Sequence, residues 1–461
     1  MSANADVHAQ PRLWRWRLGP TLAPILALAA PLTAWFALQS LVNLAVTGAL
    51  GGVGDLALAG VGAASTLSGM VLALLFGFDT AVQATIARRN GAGRQGEFGQ
   101  ALVDALTISA PLGFVLSAGL WLAAPTLLAG IAPSAAAAAV GAANLRAAAP
   151  SIALMALTIP VNAVWIGQGK PKLAFLVTAL QAPVQIGAAF ALVFGLGPLP
   201  ALGATGAGVA ATISALAGLV LQLALVARPG AVAGLRHARP RAGAAFATLG
   251  IAWPISLQQS LLQLGFVALY LIIARLGVGV VAAANVLVTL ASAPAQLALG
   301  LGVAAATLVG QTLGRGDPAE ARRWGWRSAR LSLFASLPFA LVALIAPRPV
   351  LGLFLHDPAT LTIAVWPLRI TAVSIIARAA IQVLSFALRG AGATRIGAGI
   401  PFAAQWLVTL PLSWWAAVPL GFGLVGVASV QAAVTIAEAA VTALVWSGAR
   451  WTFHRTLSRT T

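Results

Sequence analysis

The chain has 461 residues, of which 60% are hydrophobic and only 8% are charged, and its mean hydropathy is +0.94. A soluble domain carries about 25% charged residues, so this composition excludes a water-soluble globular protein and points to a lipid bilayer. There is no cysteine, which excludes disulfides, a thiolate nucleophile and a sulfur-ligated metal site.

Long apolar runs rich in Ala, Leu, Val and Gly follow one another along the chain. A hydrocarbon core about 30 Å thick needs roughly 20 apolar residues per helix, whereas a transmembrane β-barrel alternates apolar and polar residues. The runs therefore predict an all-α integral membrane protein with 12 transmembrane helices. In chain order the predicted spans are 21–48, 56–87, 101–123, 135–166, 172–195, 205–227, 246–273, 280–312, 326–346, 359–388, 396–418 and 423–448.

The net charge of +18 follows from the distribution of basic residues between the spans. Most of them fall in the N-terminal segment, the even-numbered loops and the C-terminal tail, while the odd-numbered loops hold only Arg275 and Arg348. By the positive-inside rule, this pattern predicts a multi-pass protein of the bacterial inner (plasma) membrane with both termini cytoplasmic. The basicity is thus topological, and we expect no nucleic-acid partner.

The two halves of the chain share a repeat displaced by 223 positions. Six spans per half give both halves the same orientation, which is the arrangement of parallel repeats in transporters, with a crevice between two bundles. We assign 1–20 to a cytoplasmic N-terminal segment, 21–227 to an N-lobe, 228–245 to a cytoplasmic linker, 246–448 to a C-lobe and 449–461 to a cytoplasmic tail. The aligned pairs are Pro31 and Pro254, Gly77 and Gly300, Gly91 and Gly314, Gly93 and Gly316, Glu97 and Glu320, and Arg146 and Arg369.

Several motifs resemble those of the multidrug and toxic compound extrusion (MATE) transporters. They are LVNLAVTGALG (41–51), LAGVGAAS (58–65), NGAGR (90–94), ARLGVGVVAAANV (274–286), GLGVAAATLVGQTLGRGDPAEARR (300–323) and ALRGAGATR (387–395). The resemblance covers nearly the whole chain in order and suggests a prokaryotic member, with the DinF-like branch as one candidate. It implies two pseudo-symmetric six-helix bundles. It also implies a secondary active antiporter that exports amphipathic organic cations or drugs in exchange for protons or sodium, by rocker-type alternating access.

Acidic residues inside the spans are the first candidates for ion coupling, because an intramembrane charge costs about 2.5–3.5 kcal/mol on insertion scales. Asp79 lies nine residues before Arg88, about 13 Å inside span 2 at 1.5 Å per residue. There it is expected to exchange a proton for a cation; a structural acid tied to Thr80 or to a helix end is the alternative. Glu438 and Arg378 lie at similar depth, and we predict an ion pair between them, as a clamp or as a coupling site.

The coupling carboxylates that the family resemblance implies are replaced in this chain. Asn43 occupies the place of a span-1 aspartate, glutamines such as Gln259 and Gln263 stand where a span-7 glutamate occurs, and Arg378 lies near the place of a span-10 acid. We therefore assign ion coupling to Asp79, Glu438 and Asn43. The coupling ion stays open between H⁺ and Na⁺, and we expect no other cofactor and no metal site.

Aromatic and amide side chains are expected to line the crevice, because aromatic faces attract organic cations. The same side chains would also suit packing against lipid or core. The substrate-binding candidates are Trp35, Gln39, Phe78, Gln181, Gln185, Trp253, Gln259, Gln263, Arg378 and Gln405.

Two other functions compete with this interpretation. A lipid-linked oligosaccharide flippase of the same superfamily would fit the duplication, but we expect a strongly cationic cavity in such a protein. An intramembrane enzyme would need a base, a nucleophile or metal ligands, and His8, His237, His356 and His454 all fall outside the predicted spans. We expect a monomer in the lipid bilayer, with small amphipathic cations as its partners and no catalytic residue.

Overall fold

The computed structural model of this chain describes residues 22–132, 134–196, 200–355 and 357–448. Every regular element in these ranges is helical, and 12 helices are long and apolar enough to cross a membrane. The predicted all-α membrane fold is therefore confirmed. The terminal segments, and with them His8 and His454, lie outside the described residues, as does His356.

Each half of the chain contributes six spans, and the helices of each half pack largely against one another. In the first lobe they are α1 (Ala23–Gly51), α2 (Asp55–Gly91), α3 (Phe98–Ile131), α4 (Ala135–Gly167), α5 (Pro171–Phe194) and α6 (Ala204–Val226). In the second lobe they are α7 (Ala242–Ala274), α8 (Val278–Gly314), α9 (Pro318–Ile345), the short α10 (Pro347–Gly352), α11 (Pro358–Gly390), α12 (Thr394–Ala403), α13 (Leu410–Ala417) and α14 (Gly423–Ser447). A π-helical stretch, Ala404–Thr409, joins α12 to α13 within the eleventh span.

Several helices extend beyond the apolar runs that predicted them. Arg88 and Arg89, expected in a loop, lie in the last turn of α2, where the negative end of the helix dipole favours cations. Helix α9 begins at Pro318 rather than at 326, since the Asp317 side chain accepts a hydrogen bond from the Glu320 backbone N–H at 2.8 Å. Proline suits the first helical position, and aspartate is a preferred cap.

The segment predicted as a cytoplasmic linker, 228–245, is docked on the first lobe. The Gly99 backbone N–H donates to the Ala233 carbonyl at 2.9 Å, and Gln100 Nε2 donates to the Arg239 carbonyl at 2.7 Å. Helix α7 begins at Ala242, four residues before the predicted start. The connection is therefore short and held against the beginning of α3.

The sequence repeat is also a repeat of contacts. A Cβ added to Gly167 would lie 2.9 Å from the Gln83 carbonyl oxygen, and one added to Gly390 would lie 2.6 Å from the Ala306 Cα. Both members of the second pair follow those of the first by 223 positions. The contact between α4 and α2 thus recurs between α11 and α8, so the two lobes are built on the same packing.

Helices α2, α8 and α11 all end on the same side of the bundle. We call this side the basic end, because Arg88, Arg315 and Arg389 lie there. The other end, where α2 and α8 begin, is called the opposite end. The lobes meet through two equivalent pairs of helices, α2 with α7 and α8 with α1, and also through the contact of α2 with α8.

Candidate functional site

A cavity of about 450 Å³ lies between the two lobes. Its walls come mainly from the first half of α2 and the second half of α7, so it occupies the part of the interface nearer the opposite end. No lining residue is charged; they are Ser65, Thr66, Gly69, Met70, Gln263, Phe266, Val267, Tyr270, Leu271, Ala274 and Val281. Apolar walls with a few polar groups are typical of a small-molecule site. We call this cavity the crevice.

The lobes close together immediately beyond the crevice, toward the basic end. Ser256 Oγ on α7 donates to the Leu74 carbonyl on α2 at 2.6 Å. A Cβ at Gly77 would lie 2.9 Å from the Ala252 carbonyl carbon, and one at Gly300 would lie 2.9 Å from the Thr33 backbone nitrogen. Gly300 follows Gly77, and Ser256 follows Thr33, by 223 positions. The floor of the crevice is therefore a pseudo-two-fold contact that leaves no room for a side chain.

Among the predicted substrate residues, Gln263 lines the crevice. Trp253 on α7 is half exposed, and Gln259, one turn before Gln263, is partly exposed without lining the crevice. Trp35 stacks on Phe36 with ring centroids 4.9 Å apart and packs against a buried core. Of these four predicted substrate residues, Gln263 is the one that lines the crevice.

Gln39 and Asn43 are both exposed on α1, outside the crevice lining. Neither has a partner in the described hydrogen bonds. They belong to the segment of α1 that leads from the interlobe contact at Thr33 to the opposite end.

Other predicted substrate residues are used for packing. Phe78 is 1% exposed and packs with Ala81 and Ala252 at the contact between lobes, so it faces no open space in this conformation. Gln181 Nε2 donates to the Ser214 carbonyl at 3.0 Å, and Gln185 lies beside the same serine.

Gln405 lies in the π-helical stretch, where a Cβ at Gly265 would be 2.8 Å from its Cγ. Its Nε2 is buried and has no hydrogen-bond partner among the described residues. Single-turn π segments occur often at functional sites. Gln405 thus keeps an unused donor inside the second lobe, away from the crevice lining.

Asp79 is partly exposed on α2, and within the described ranges no hydrogen bond or ion pair involves its carboxyl group. It lies two residues beyond Gly77, which belongs to the floor of the crevice, and is therefore about 3 Å further toward the basic end at the helical rise. Its equivalent in the second lobe is Gly302, where a Cβ would lie 3.2 Å from the Phe386 ring. Only the first lobe has a carboxyl at this level of α2 or α8.

The predicted ion pair between Arg378 and Glu438 is not formed as a hydrogen-bonded contact, although the two charges are close enough to interact electrostatically. Within the described residues, no salt bridge of 4.0 Å or less joins them; Arg378 Nη2 instead donates to Thr435 Oγ1 at 3.3 Å. Thr435 lies one turn before Glu438 on α14. The register of α11 against α14 therefore places the guanidinium within hydrogen-bonding distance of the Thr435 hydroxyl.

Sequence reasoning missed most of the crevice. Ser65, Thr66 and Met70 of α2, and Phe266 and Tyr270 of α7, line it. Tyr270 is the only tyrosine of the chain, and its hydroxyl donates to Asn285 Oδ1 at 2.8 Å. Hydrophobic periodicity did not select this face, because the lipid-facing and packed sides of a membrane helix are both apolar. No group of three His, Asp or Glu side chains suited to a metal ion occurs in the described part of the chain.

Comparison with known proteins gives consistent results. The family described as MatE matches residues 31–193 and 254–415, two segments whose starts are separated by the repeat length. The probable multidrug resistance protein NorM of Burkholderia pseudomallei is 32% identical over 415 residues, covering 87% of this chain and 86% of that protein. The protein of the same name from Deinococcus radiodurans is 31% identical over 401 residues, covering 85% and 87%.

A solved MATE structure in the bent conformation superimposes with a TM-score of 0.86 at 19% identity, covering 94% of this chain and 97% of that chain. At this identity the likeness concerns the fold alone. The matched length and the duplicated six-helix lobes around a crevice agree with the two-segment family match. The chain therefore belongs to the MatE family and is a prokaryotic MATE transporter rather than a membrane enzyme.

Proposed function

We propose that this transporter is a multidrug exporter that moves amphipathic organic cations out of the cytoplasm by alternating access. The observation that carries the proposal is the crevice, which lies between two repeated lobes near one end and stops at a tight contact toward the other. The relatives named as multidrug resistance proteins support efflux of several compounds. The positive-inside rule assigns the basic end and both termini to the cytoplasm, so this conformation is open to the outside.

The lining of the crevice suits lipophilic cations. Met70 supplies a polarizable thioether, Phe266 and Tyr270 supply aromatic faces, and Ser65 and Gln263 supply hydrogen-bonding groups. Aromatic faces contribute about 0.5–2 kcal/mol to cation binding, and methionine adapts to varied shapes. Such a surface accepts compounds of differing structure, as a multidrug transporter must.

The flippase alternative is less well supported. A lipid-linked oligosaccharide carries phosphate, and its recognition needs Arg or Lys side chains or backbone donors. The crevice lining contains no charged residue. Arg378, the cation predicted in this region, contacts Thr435 inside the second lobe instead.

Asp79 is our candidate for coupling to H⁺ or Na⁺. It has no described partner to neutralise or hold its carboxyl group, and it lies between the crevice and the basic end of α2. A carboxyl in such a position is able to bind a cation from one side and release it to the other as the lobes move. The second lobe has glycine at the equivalent place, so coupling of this kind would belong to the first lobe.

The test uses purified protein in liposomes with a fluorescent lipophilic cation, under a proton gradient or a sodium gradient imposed separately. We expect gradient-driven transport that is lost in Asp79→Asn. Asp104→Asn is the matched control, since Asp104 is an acid of the same lobe that accepts a hydrogen bond from Gln100 at 2.7 Å. Transport that survives in Asp79→Asn but not in Glu438→Gln would move coupling to the second lobe. A wild-type protein that transports no cation under either gradient would refute the proposed function.

A further inference from the structure

The ends of α2 and α8 cross each other at the basic end. A Cβ at Gly91, the last residue of α2, would lie 2.6 Å from the Gln311 carbonyl carbon, and a Cβ at Gly314, the last residue of α8, would lie 2.9 Å from the Arg88 carbonyl carbon. Gly314 follows Gly91, and Gln311 follows Arg88, by 223 positions. Gly91 therefore packs on Gln311 just as its equivalent, Gly314, packs on Arg88, the equivalent of Gln311. This reciprocity is the mark of an isologous, two-fold contact.

The pseudo-two-fold axis passes through this contact. A Cβ at Gly310 would lie 2.8 Å from the Ala87 Cβ, and these two residues are themselves equivalents in the repeat. Carbon atoms in ordinary contact are about 3.5–4.0 Å apart. Neither Gly91 nor Gly314 has a positive φ, so glycine is needed there for close approach and not for backbone conformation.

Two side chains extend the contact to the ends of other helices. Gln311 Nε2 donates at 3.1 Å to the carbonyl of Gly167, the last residue of α4. Arg88 Nη2 donates to the carbonyl of Ala391, the residue after α11. The last carbonyls of a helix have no partner within the helix, and α4 and α11 are equivalent helices. Each lobe thus supplies a donor to a helix end of the other lobe.

We propose that these residues form a two-fold latch, made of Gly91, Gly314, Arg88 and Gln311, that holds the basic end shut while the crevice is open at the opposite end. The latch rests on the proposed function in one respect: opening it is the step that would expose the crevice to the other side. Because its contacts cluster around the pseudo-axis and join only opposite lobes, a tilt of one lobe against the other breaks them together. The latch lies beyond the crevice and binds no substrate.

The two donors of the latch are not alike. Arg88 brings a positive charge to the end of α11, where the helix dipole is negative, and Gln311 brings a neutral amide to the end of α4. The glycine contacts are symmetric, whereas the donor contacts are stronger on the Arg88 side. Gly91→Ala and Gly314→Ala should therefore have similar effects, while Arg88→Leu should have a larger effect than Gln311→Leu.

The natural absence of cysteine allows the latch to be tested directly. Lys172→Cys and Arg395→Cys place spin labels on exposed, equivalent positions at the starts of α5 and α12, one in each lobe at the basic end. Pulsed distance measurement in nanodiscs reports how close the lobes are at that end. We expect one short distance in the otherwise unaltered chain, and loss of that distance in favour of a longer one in both Gly91→Ala and Gly314→Ala.

Two controls separate the latch from loss of folding. Gly96→Ala alters a nearby glycine whose added Cβ would meet no atom within 4 Å, and it should keep the short distance. Gln168→Leu removes a hydrogen bond from the first lobe to Ala231 of the segment docked on that lobe, and this variant should also keep the short distance. The thermal midpoint of each variant in detergent shows whether the chain is folded.

The inference is overturned if folded Gly91→Ala and Gly314→Ala both retain the short distance, or if only one of them loses it. Because distance is measured without substrate, a chain that shows the expected shift but transports no cation would refute the proposed function and leave the latch standing. If the chain transports cations normally while both variants keep the short distance, the latch is refuted and the proposed function stands.

Discussion

The hydrogen bonds of Gln83 cross from one lobe to the other and offer a measurable contribution to closure. Gln83 on α2 is 2% exposed, and its Nε2 donates to the Val303 carbonyl at 3.0 Å and to Thr307 Oγ1 at 2.9 Å, both on α8. We predict that Gln83→Leu weakens the closed basic end without unfolding either lobe. Leucine keeps a similar size and a high helix propensity.

The magnitude follows from the two bonds lost. Each neutral hydrogen bond contributes about 0.5–1.5 kcal/mol net, so together they contribute about 1–3 kcal/mol to the closed state. Thr307 loses a donor but keeps a partner, since its hydroxyl itself donates to the Val303 carbonyl at 3.2 Å. A change of about 1–3 kcal/mol shifts the ratio of closed to open molecules by about 5- to 150-fold.

The assay is the distance between spin labels on Lys172→Cys and Arg395→Cys, read as the ratio of the short to the long population. Gln222→Leu is the matched control, because Gln222 is 1% exposed and its hydrogen bonds to Trp165 and Asn162 lie within the first lobe. An unchanged ratio in Gln83→Leu, or an equal change in Gln222→Leu, would refute the reasoning.

Three further predictions concern stability, ionisation and binding. Gln222→Leu removes the acceptor of Trp165 Nε1, at 2.8 Å, and the buried donor left behind should lower the free energy of unfolding by about 1–3 kcal/mol, seen as a lower thermal midpoint. Hydrogen bonds from the Thr360 side chain and from backbone N–H groups lower the pKa of Asp357, the cap of α11. Thr360→Val should raise that pKa toward its ordinary value of 3.8, as measured by NMR of the carboxyl carbon. Because the pKa of Asp357 is lower in the folded state, this carboxylate stabilises the fold at pH values above its ordinary pKa. That stabilisation is lost as the pH falls through the folded-state pKa. The effect of Asp357→Asn on the unfolding midpoint should therefore shrink in acid. Gly69→Leu fills part of the crevice and should weaken binding of the fluorescent cation while the thermal midpoint stays unchanged; unaltered binding would contradict the assignment of the crevice.

The positions of the spans were predictable because a bilayer demands about 20 apolar residues per helix and tolerates few charges. The ends of the helices were less so. Helix α2 continues through Arg88 and Arg89, and α9 begins eight residues before its apolar run, at the Asp317 cap. Beyond the hydrocarbon core, hydrogen-bonded caps and helix dipoles decide where a helix ends, and hydropathy does not report them.

The candidate site was only partly predictable. Asp79 is conspicuous because few acids occur within the spans, and Gln263 lies on the interlobe side of α7. Phe78 is instead buried at the lobe contact, and Gln181 is hydrogen-bonded to α6. In a membrane protein both the lipid-facing and the core-facing sides of a helix are apolar, so periodicity does not indicate which side faces a crevice.

The sequence by itself determined the number of spans, because each span needs its own local run of apolar residues. It also determined the duplication, because the 223-residue repeat can be read directly along the chain. Tertiary structure decided what the repeat does. The rotation and register of α2 against α7 and α8 bring Gly77 onto Ala252 and Gly91 onto Gln311, which close one end and leave the crevice near the other. The register of α11 against α14 likewise pairs Arg378 with Thr435. The contacts between the lobes join residues more than a hundred positions apart, and only the packed helices bring them together.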